Sequence, residues 1–388
     1  MSRFGPRWRN RARWCTLGAM DSEETPSILQ IRRNVSLAPL TTLELGGTAS
    51  SFAEIDRIAM AKEAIRWAGR HDQPLAVLGG GSNVVIADEG FAGMAIRVVM
   101  RGIEIESSGN RVRVTAAAGE PWDELVETTV AENLAGLECL SGIPGWVGAT
   151  PIQNVGAYGQ DVAAVIEEVR VLDLTSLEER TLGPEKCGFG YRTSTFREFP
   201  GRFLVLSATY ALERGGQPKV EYRELRRAMG IGLSPPSLAD VRQAVLDLRR
   251  GKSMVIEEGD PNRRSVGSFF VNPVVDGVTL GLLDERVRAS GALTAIESIP
   301  TFPAGDGRSK VPAAWLIEKA GFEKGLRRGS FGISSAHALA LIHHGGGTTA
   351  ELVALARDIR EGVRRRFDIE LQPEPVFLGF PTSNPLSD

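Results

Sequence analysis

The sequence predicts an α+β protein of two or three domains, with a glycine-rich first half and a more helical segment from about 220 to 370. Three observations carry this. Its 388 residues exceed the roughly 100 to 200 of a single domain. Segments with helical 3-4 spacing and short apolar runs bounded by turn residues both occur along it. Glycine is in excess, 44 residues, about 11% where roughly 7% is typical. Hydrophobic residues at 42% and charged residues at 24% exclude wholesale disorder and a fibrous fold.

Ile58, Ala61, Ile65 and Ala68 mark one face of a helix running to about residue 70. Leu75 to Leu78 and Val84 to Ile86 are apolar runs separated by Gly79-Gly80-Gly81-Ser82-Asn83, which predicts strand, glycine loop, strand. Alternation in Arg111-Val112-Arg113-Val114 predicts a half-exposed strand, and Pro121 opens a helix buried along Trp122, Leu125, Val126, Thr129, Val130 and Leu134. Residues 142–159, GIPGWVGATPIQNVGAYG, carry five glycines and neither period; long loops of this kind inside compact domains are usually functional. Strands return at 169–174 and 203–210, and Gly215-Gly216-Gln217-Pro218 reads as a linker. Beyond it, Ser237 and Asp240 form a capping-box signature before the stripe Leu238, Val241, Val245 and Leu248, in a helix ending near Arg249-Arg250-Gly251. Helices are expected from Ala313 to Ala320, stopped by Gly321, and from Thr348, capped by Glu351, on the stripe Leu352, Ala356, Ile359, Val363 and Phe367. The Arg364-Arg365-Arg366 run falls in the last turn, where positive charge complements the helix dipole. His343 and His344 run into three glycines and read as a strand end entering a turn.

Net charge is −3, which gives no global basic field for a nucleic-acid backbone. Residues 1–20 nevertheless hold five arginines and no acid, so the other 368 carry −8. This tail is a nucleic-acid arm, a membrane-surface contact or a poorly ordered extension. The expectation is the last, over residues 1–26, with Met20 as the start. No run of 18 apolar residues occurs, so neither export nor a membrane span is supported and a cytoplasmic protein is expected. Cys15, Cys139 and Cys187 fit reduced thiols. The four histidines lack metal-ligand spacing, and no metal is expected.

Gly79 to Asn83 would suit a phosphate, since glycine lets amides approach an anion and Ser82 and Asn83 add side-chain donors. It is neither a dinucleotide fingerprint, because Val84 stands where the third glycine belongs, nor a Walker loop, because no Lys-Ser or Lys-Thr closes it. Alone it reads equally as a tight hairpin. The 142–159 loop adds Gln153, Asn154 and many backbone amides expected to be free. Two such loops fit a ligand with a diphosphate, such as a flavin dinucleotide outside a Rossmann fold.

GGGSN at 79–83, GIPGWVGATPIQNVGAYGQDV at 142–162, CGFGYRTSTF at 187–196, VGSFFVNP at 266–273 and LQPEPVFLG at 371–379 stand in the order and approximate spacing of the MurB family, the UDP-N-acetylenolpyruvoylglucosamine reductases. The chain resembles that family over about residues 34–380. The resemblance implies a vanillyl-alcohol-oxidase-type (PCMH) fold, with two lobes clasping FAD at 27–103 and 104–215. A substrate-binding domain follows at 216–370, and a segment at 371–388 returns to the active site. It implies that NADPH reduces FAD, that the enolpyruvyl sugar nucleotide then enters the same pocket of a monomer, and that flavin N5 delivers hydride to its vinyl carbon. A proton completes UDP-N-acetylmuramate in peptidoglycan precursor synthesis.

The resemblance also implies roles. Arg192 would hold the enolpyruvyl carboxylate, Ser268 would donate the proton, and Glu374 would polarise the carboxylate or assist protonation. Without it these residues read as an ion-paired arginine, a strand-opening serine and a loop glutamate. For Glu374 to sit beside a carboxylate, either a raised pKa or an interposed Arg192 is required. FAD contacts are expected from Gly79, Gly80, Gly81, Ser82, Asn83, Gly145, Gly148, Ala149, Gln153, Asn154, Gly156, Ala157 and Tyr158. Tyr191, Tyr222, Lys252, Asn272 and His337 are expected at the substrate, and Tyr222 assigns the chain to the type in which a tyrosine-bearing loop closes over it. Trp146 departs from the family pattern in bulk, Pro375 stiffens the strand after Glu374, and a charged insertion after Lys252 puts its register in question. The rivals are another oxidase of the same cofactor fold, with FAD tethered to a histidine or cysteine, and a catalytically dead sugar-nucleotide or flavin binder. A Rossmann dehydrogenase comes last.

Overall fold

The computed structural model describes residues 29–230, 236–293 and 296–387. The basic tail and Cys15 lie outside the described residues.

Thr48–Ile55 and Phe91–Val98 run parallel at the centre of a four-stranded sheet, with Arg32–Ser36 antiparallel at one edge and Leu75–Leu78 parallel at the other. Parallel neighbours need a crossover, and the helix Ile58–Arg70 supplies it on the foreseen face, burying Ile58, Ala61, Ala64 and Ala68. A second, antiparallel sheet runs in the order Glu179–Leu182, Ile166–Asp173, Phe203–Arg214, Arg111–Ala117, Ile103–Ser108. One continuous core joins the two sheets, from Ile55 and Met94 to Val114 and Leu206. The helix after Pro121 ends at Ala131, short of the expected Leu134. Asn133 takes a left-handed φ of 55°, which breaks the helix, and Leu134 is buried instead in a strand against Arg214.

A separate core holds Phe269, Phe331, Leu352 and Phe367. Around it lie the helices Gly277–Ala289, Ala313–Lys319 and Thr349–Phe367 and the strands Phe331–Ile333 and Leu341–His343. The first of these helices was not foreseen, although Asp276 caps it by accepting from the Thr279 amide at 2.7 Å. Leu238–Arg250 carries the foreseen capping box but packs elsewhere. Val241 and Val245 cluster with Cys139 and Leu225, and Arg242 pairs with Asp123 at 2.7 Å, so this helix is fastened to the second sheet's body. Among the described residues no helix is long and apolar enough to cross a membrane.

Two links bring the third body back to the first. Val376–Leu378 runs parallel to Val84–Ile86, the strand leaving the first glycine loop. The start of Thr349–Phe367 is also closed from outside. Asp88 accepts from the Thr349 and Ala350 amides at 2.7 and 2.9 Å, while Thr348 accepts from Glu351 in its own capping box. All three first-turn amides are thereby satisfied. Asp88→Ala is expected to cost about 1–2 kcal/mol as a lowered urea midpoint at unchanged slope, while Glu89→Ala, an exposed neighbour, leaves the midpoint in place.

Candidate active site

The two glycine loops lie against each other: Ser82 Oγ donates to Pro144 O at 3.2 Å. Gly81 has φ 67° and a Cβ there would collide with Leu40 O, so this glycine is dictated by chain packing. A Cβ on Gly148 would meet Ala118 Cβ at 2.7 Å, another structural demand. Gly80, Gly81 and Ser82 donate no backbone hydrogen bond to any described residue. The second loop differs from expectation in part, since several of its amides already have acceptors: Val147 on Glu120 O, Gly148 on Ala118 O, Ala149 on Trp146 O and Thr150 on Val147 O. A short 3-10 turn at Val147–Ala149 folds the loop onto the second sheet, so the amides of 147–150 are committed to the chain.

Between these loops and the third body opens a cavity of about 550 Å³, within the roughly 300–1,000 Å³ range of ligand pockets. Gly79 to Asn83 line it, with Gly148, Ala149, Gln153, Gly156, Ala157 and Tyr158. So do Arg192, Tyr222, Lys252, Ser268, Asn272, His337 and Glu374. Gly145, Asn154 and Tyr191 do not. Asn154 donates its Nδ2 to Gly190 O and accepts from the Ala163 amide, both at 3.0 Å, so its side chain shapes the loop. Tyr191 is 41% exposed and its ring lies beneath the Lys310 ammonium, 3.9 Å away. Gly145 supplies a positive φ of 117° beside Ser82. Trp146 stands outside the lining, stacked by Arg97 and Arg101 at 4.9 and 5.5 Å from its ring.

Arg192 has a left-handed φ of 55°, uncommon for a non-glycine residue. Its Nη1 and Nη2 donate to Asn154 O and Gly156 O at 3.3 and 2.8 Å, and its Nε faces Glu374 Oε1 at 3.2 Å. One N–H on each Nη remains for a ligand. Glu374 is 15% exposed in its side chain. Burial pushes its carboxyl above the usual range, against the pull of Arg192 and Arg197. Its amide donates to Phe269 O at 2.9 Å, which fixes it beside Ser268. No described residue accepts from or donates to the Ser268 hydroxyl.

Lys252 pairs with Glu224 at 2.6 Å and lies 5.7 Å from the Tyr158 ring. The Tyr158 ring meets the Tyr222 ring edge-on at 5.6 Å, and burial raises the Tyr158 hydroxyl to about 12. Asn272 Oδ1 accepts from the Ala313 amide at 2.8 Å, and the Tyr191 hydroxyl lies against the same asparagine. His337 Nδ1 accepts from the Leu339 amide at 3.1 Å, so its proton sits on Nε2. Arg249 and Glu224 also line the cavity and were not foreseen. Burial lowers the Arg249 guanidinium to about 10, and its Nε is shielded without a partner among the described residues. Its place in the last turn of the helix Leu238–Arg250, just before Lys252, was the available signal.

The sequence models of two domains match: "UDP-N-acetylenolpyruvoylglucosamine reductase, C-terminal domain" over residues 260–378 and "FAD binding domain" over 50–177. The UDP-N-acetylenolpyruvoylglucosamine reductase of Thermobifida fusca is 47% identical over 350 residues, 89% of this chain and 98% of its own. The chain belongs to the UDP-N-acetylenolpyruvoylglucosamine reductase family. The Streptomyces avermitilis reductase is 44% identical over 368 residues, 93% of this chain and 99% of its own. The solved reductase of Thermus caldophilus shares the fold, with a TM-score of 0.61 at 24% identity over 90% of this chain and all of that one. Both glycine loops fall in the FAD-binding match, and Ser268, Asn272, His337 and Glu374 in the reductase C-terminal match. Arg192, Tyr222, Arg249 and Lys252 lie between the two, so the cavity of this family member is completed by chain that neither domain model covers.

Burial, with Lys252 next, lowers the His337 imidazole to about 4, below its unfolded value near 6.5. The unfolded chain therefore takes up a proton first as pH falls, and stability declines from about pH 6.5 towards 4. In urea unfolding at stepped pH, His337→Gln is expected to flatten that decline. An imidazole NMR titration should show the neutral Nε2–H form persisting to pH 5, and a midpoint near 6.5 would refute this.

Proposed function

We propose that this chain is a cytoplasmic, monomeric flavoenzyme that reduces UDP-N-acetylglucosamine enolpyruvate to UDP-N-acetylmuramate with NADPH, in peptidoglycan precursor synthesis, both ligands visiting one cavity. The observation that carries this reading is the meeting of Arg192, Ser268 and Glu374 with the unused amides of the first glycine loop around one cavity. Residues 27–103 and 104–215 would form the two cofactor lobes, 216–370 the substrate part, and 371–388 the return that delivers Glu374.

The donor set fits a flavin dinucleotide. Gly80, Gly81 and Ser82 present free amides and Asn83 a side-chain amide for its diphosphate, and Arg249 brings an unpartnered buried N–H to the wall. When bound, FAD supplies the two-electron carrier that links NADPH oxidation to reduction of the enolpyruvyl double bond. Arg192 holds the enolpyruvyl carboxylate with its two remaining N–H groups. As the double bond is reduced, negative charge grows on that carboxylate, so a fixed guanidinium stabilises the transition state more than the ground state. Ser268, with no internal acceptor for its proton, donates it to the carbon bearing the ether oxygen. Glu374 meets the substrate carboxylate under both conditions that make such a neighbour tolerable: burial raises its proton affinity, and Arg192 lies beside it. Lys252, Tyr222 and Asn272 clamp the substrate diphosphate, with the Nε2–H of His337 as a further donor.

The purified protein should carry a flavin spectrum that bleaches with NADPH under anaerobic conditions and returns on adding the enolpyruvyl substrate. Acid precipitation should leave the colour in solution; colour retained by the pellet would favour the tethered-oxidase reading. Ser268→Ala is expected to keep flavin reduction by NADPH and to slow reoxidation by substrate about 10²- to 10⁴-fold. Unimpaired reoxidation in stopped flow would remove Ser268 from the role.

A further inference from the structure

A second cation stands behind Glu374. Arg197 belongs to the helical turn Thr195–Glu198, one turn beyond Arg192. Ser194 pins that turn, donating to Ile152 O at 2.6 Å and accepting from the Arg197 amide at 3.4 Å. From there Arg197 Nη2 donates to the main-chain carbonyl of Glu374 at 3.1 Å. Asn83 Nδ2 reaches the same oxygen at 3.4 Å. Arg197 Nη1 is shielded from solvent and has no partner among the described residues.

A guanidinium with an unmet, desolvated N–H is costly, and holding one carbonyl does not require a charge, since Asn83 does it with a neutral amide. The charge has a use once the site is loaded. Arg192 already serves two carbonyls and Glu374, and in the proposed reaction it also takes the substrate carboxylate, so its positive charge is then shared between two anions.

We propose that Arg197 is a positioning residue for the protonation step: it fixes the Glu374 main chain and supplies the positive charge that remains with Glu374 when Arg192 engages the substrate carboxylate. The inference rests on the reading of Glu374 given above. The charged and titratable groups facing Glu374 are Arg192, Arg197 and Tyr191. Loss of the Arg197 charge leaves burial less opposed, so the proton affinity of Glu374 rises. Any limb of the pH profile that belongs to Glu374 then moves to higher pH, whichever of its two forms is active.

The test compares Arg197→Met, Arg197→Lys and Glu374→Gln in anaerobic stopped flow, with NADPH in one half-reaction and UDP-N-acetylglucosamine enolpyruvate in the other, from pH 5 to 9. Arg197→Met is expected to leave flavin reduction within about twofold and to slow reoxidation by substrate about 10- to 100-fold. Its pH limb should rise by about one unit or more. Arg197→Lys, which keeps charge without the guanidinium geometry, should be slower than the parent with the limb at the parent pH. A limb that stays in place in Arg197→Met, or that moves equally in Arg197→Lys, would overturn the proposal. Glu374→Gln separates the two ideas. If it abolishes the limb while Arg197→Met leaves it in place, only the role of Arg197 falls; if it leaves substrate reduction intact, the reading of Glu374 falls and takes this one with it. Should Arg197→Met not hold flavin, Arg197→Lys decides alone: a parent-like rate or a displaced limb refutes the proposal.

Discussion

The contact on which the rest depends is the pair between Arg192 and Glu374. Two charges in a mostly buried site are expensive, and their attraction repays desolvation only with good geometry and extra hydrogen bonds. Here the surroundings supply them. Arg192 is held by two carbonyls of the second glycine loop. The main chain of Glu374 is held by Phe269, Asn83 and Arg197. Glu374 is thus tied to all three bodies of the fold, by its carboxylate to Arg192 and otherwise by its main chain, and the parallel pairing of Val376–Leu378 with Val84–Ile86 delivers it there.

The glycines divide by the same logic. Those at 81 and 148 are imposed by close approach of backbone to Leu40 and Ala118. A Cβ on Gly79 would meet nothing nearer than Trp146 at 3.9 Å, so chain packing makes no such demand there. Gly80 and Gly145 are the ones demanded by loop against loop: a Cβ on Gly80 would meet Gly145 Cα at 3.2 Å, and one on Gly145 would meet Ser82 Oγ at 2.7 Å. The amides of Gly80, Gly81 and Ser82 in that crowded loop have no backbone acceptor among the described residues, and all three residues line the cavity.

What could be read from the sequence was local or carried by motif. Both capping boxes, at Ser237 and Thr348, were legible because donor and acceptor lie three residues apart. Asp88, which closes the same helix start as Thr348, was not, since 261 residues separate it from Thr349. Leu134 kept the apolar period of the preceding helix although Asn133 had already broken it. Helix Gly277–Ala289 escaped because it opens on glycine and leaves Val278 and Leu282 exposed, which blurs its stripe. In the site, most residues that the motifs singled out line the cavity, but residue type alone could not tell a lining side chain from a bracing one. Asn154 spends its polar groups on Gly190 and Ala163, and Tyr191 meets the cavity residue Asn272 without lining the cavity itself. Arg249, outside the motifs, reaches the cavity through helix geometry.

The electrostatics follow from a chain whose 368 residues after the tail carry −8. No long-range field draws an anion in, so attraction must be local. Yet two of the local cations are partly committed: Lys252 to Glu224 at 2.6 Å, Arg192 to Glu374. An incoming phosphate or carboxylate must compete with a carboxylate already present, which weakens binding relative to a bare cation. In the proposed cycle this is useful, because one anionic ligand must leave the cavity before the next enters. A site of uncommitted lysines and arginines would hold the first too well. Pairing Arg192 and Lys252 with internal carboxylates leaves Arg249 as the cavity cation without a carboxylate of its own among the described residues, and makes release of a ligand from the paired cations an exchange of partners rather than the exposure of a buried charge.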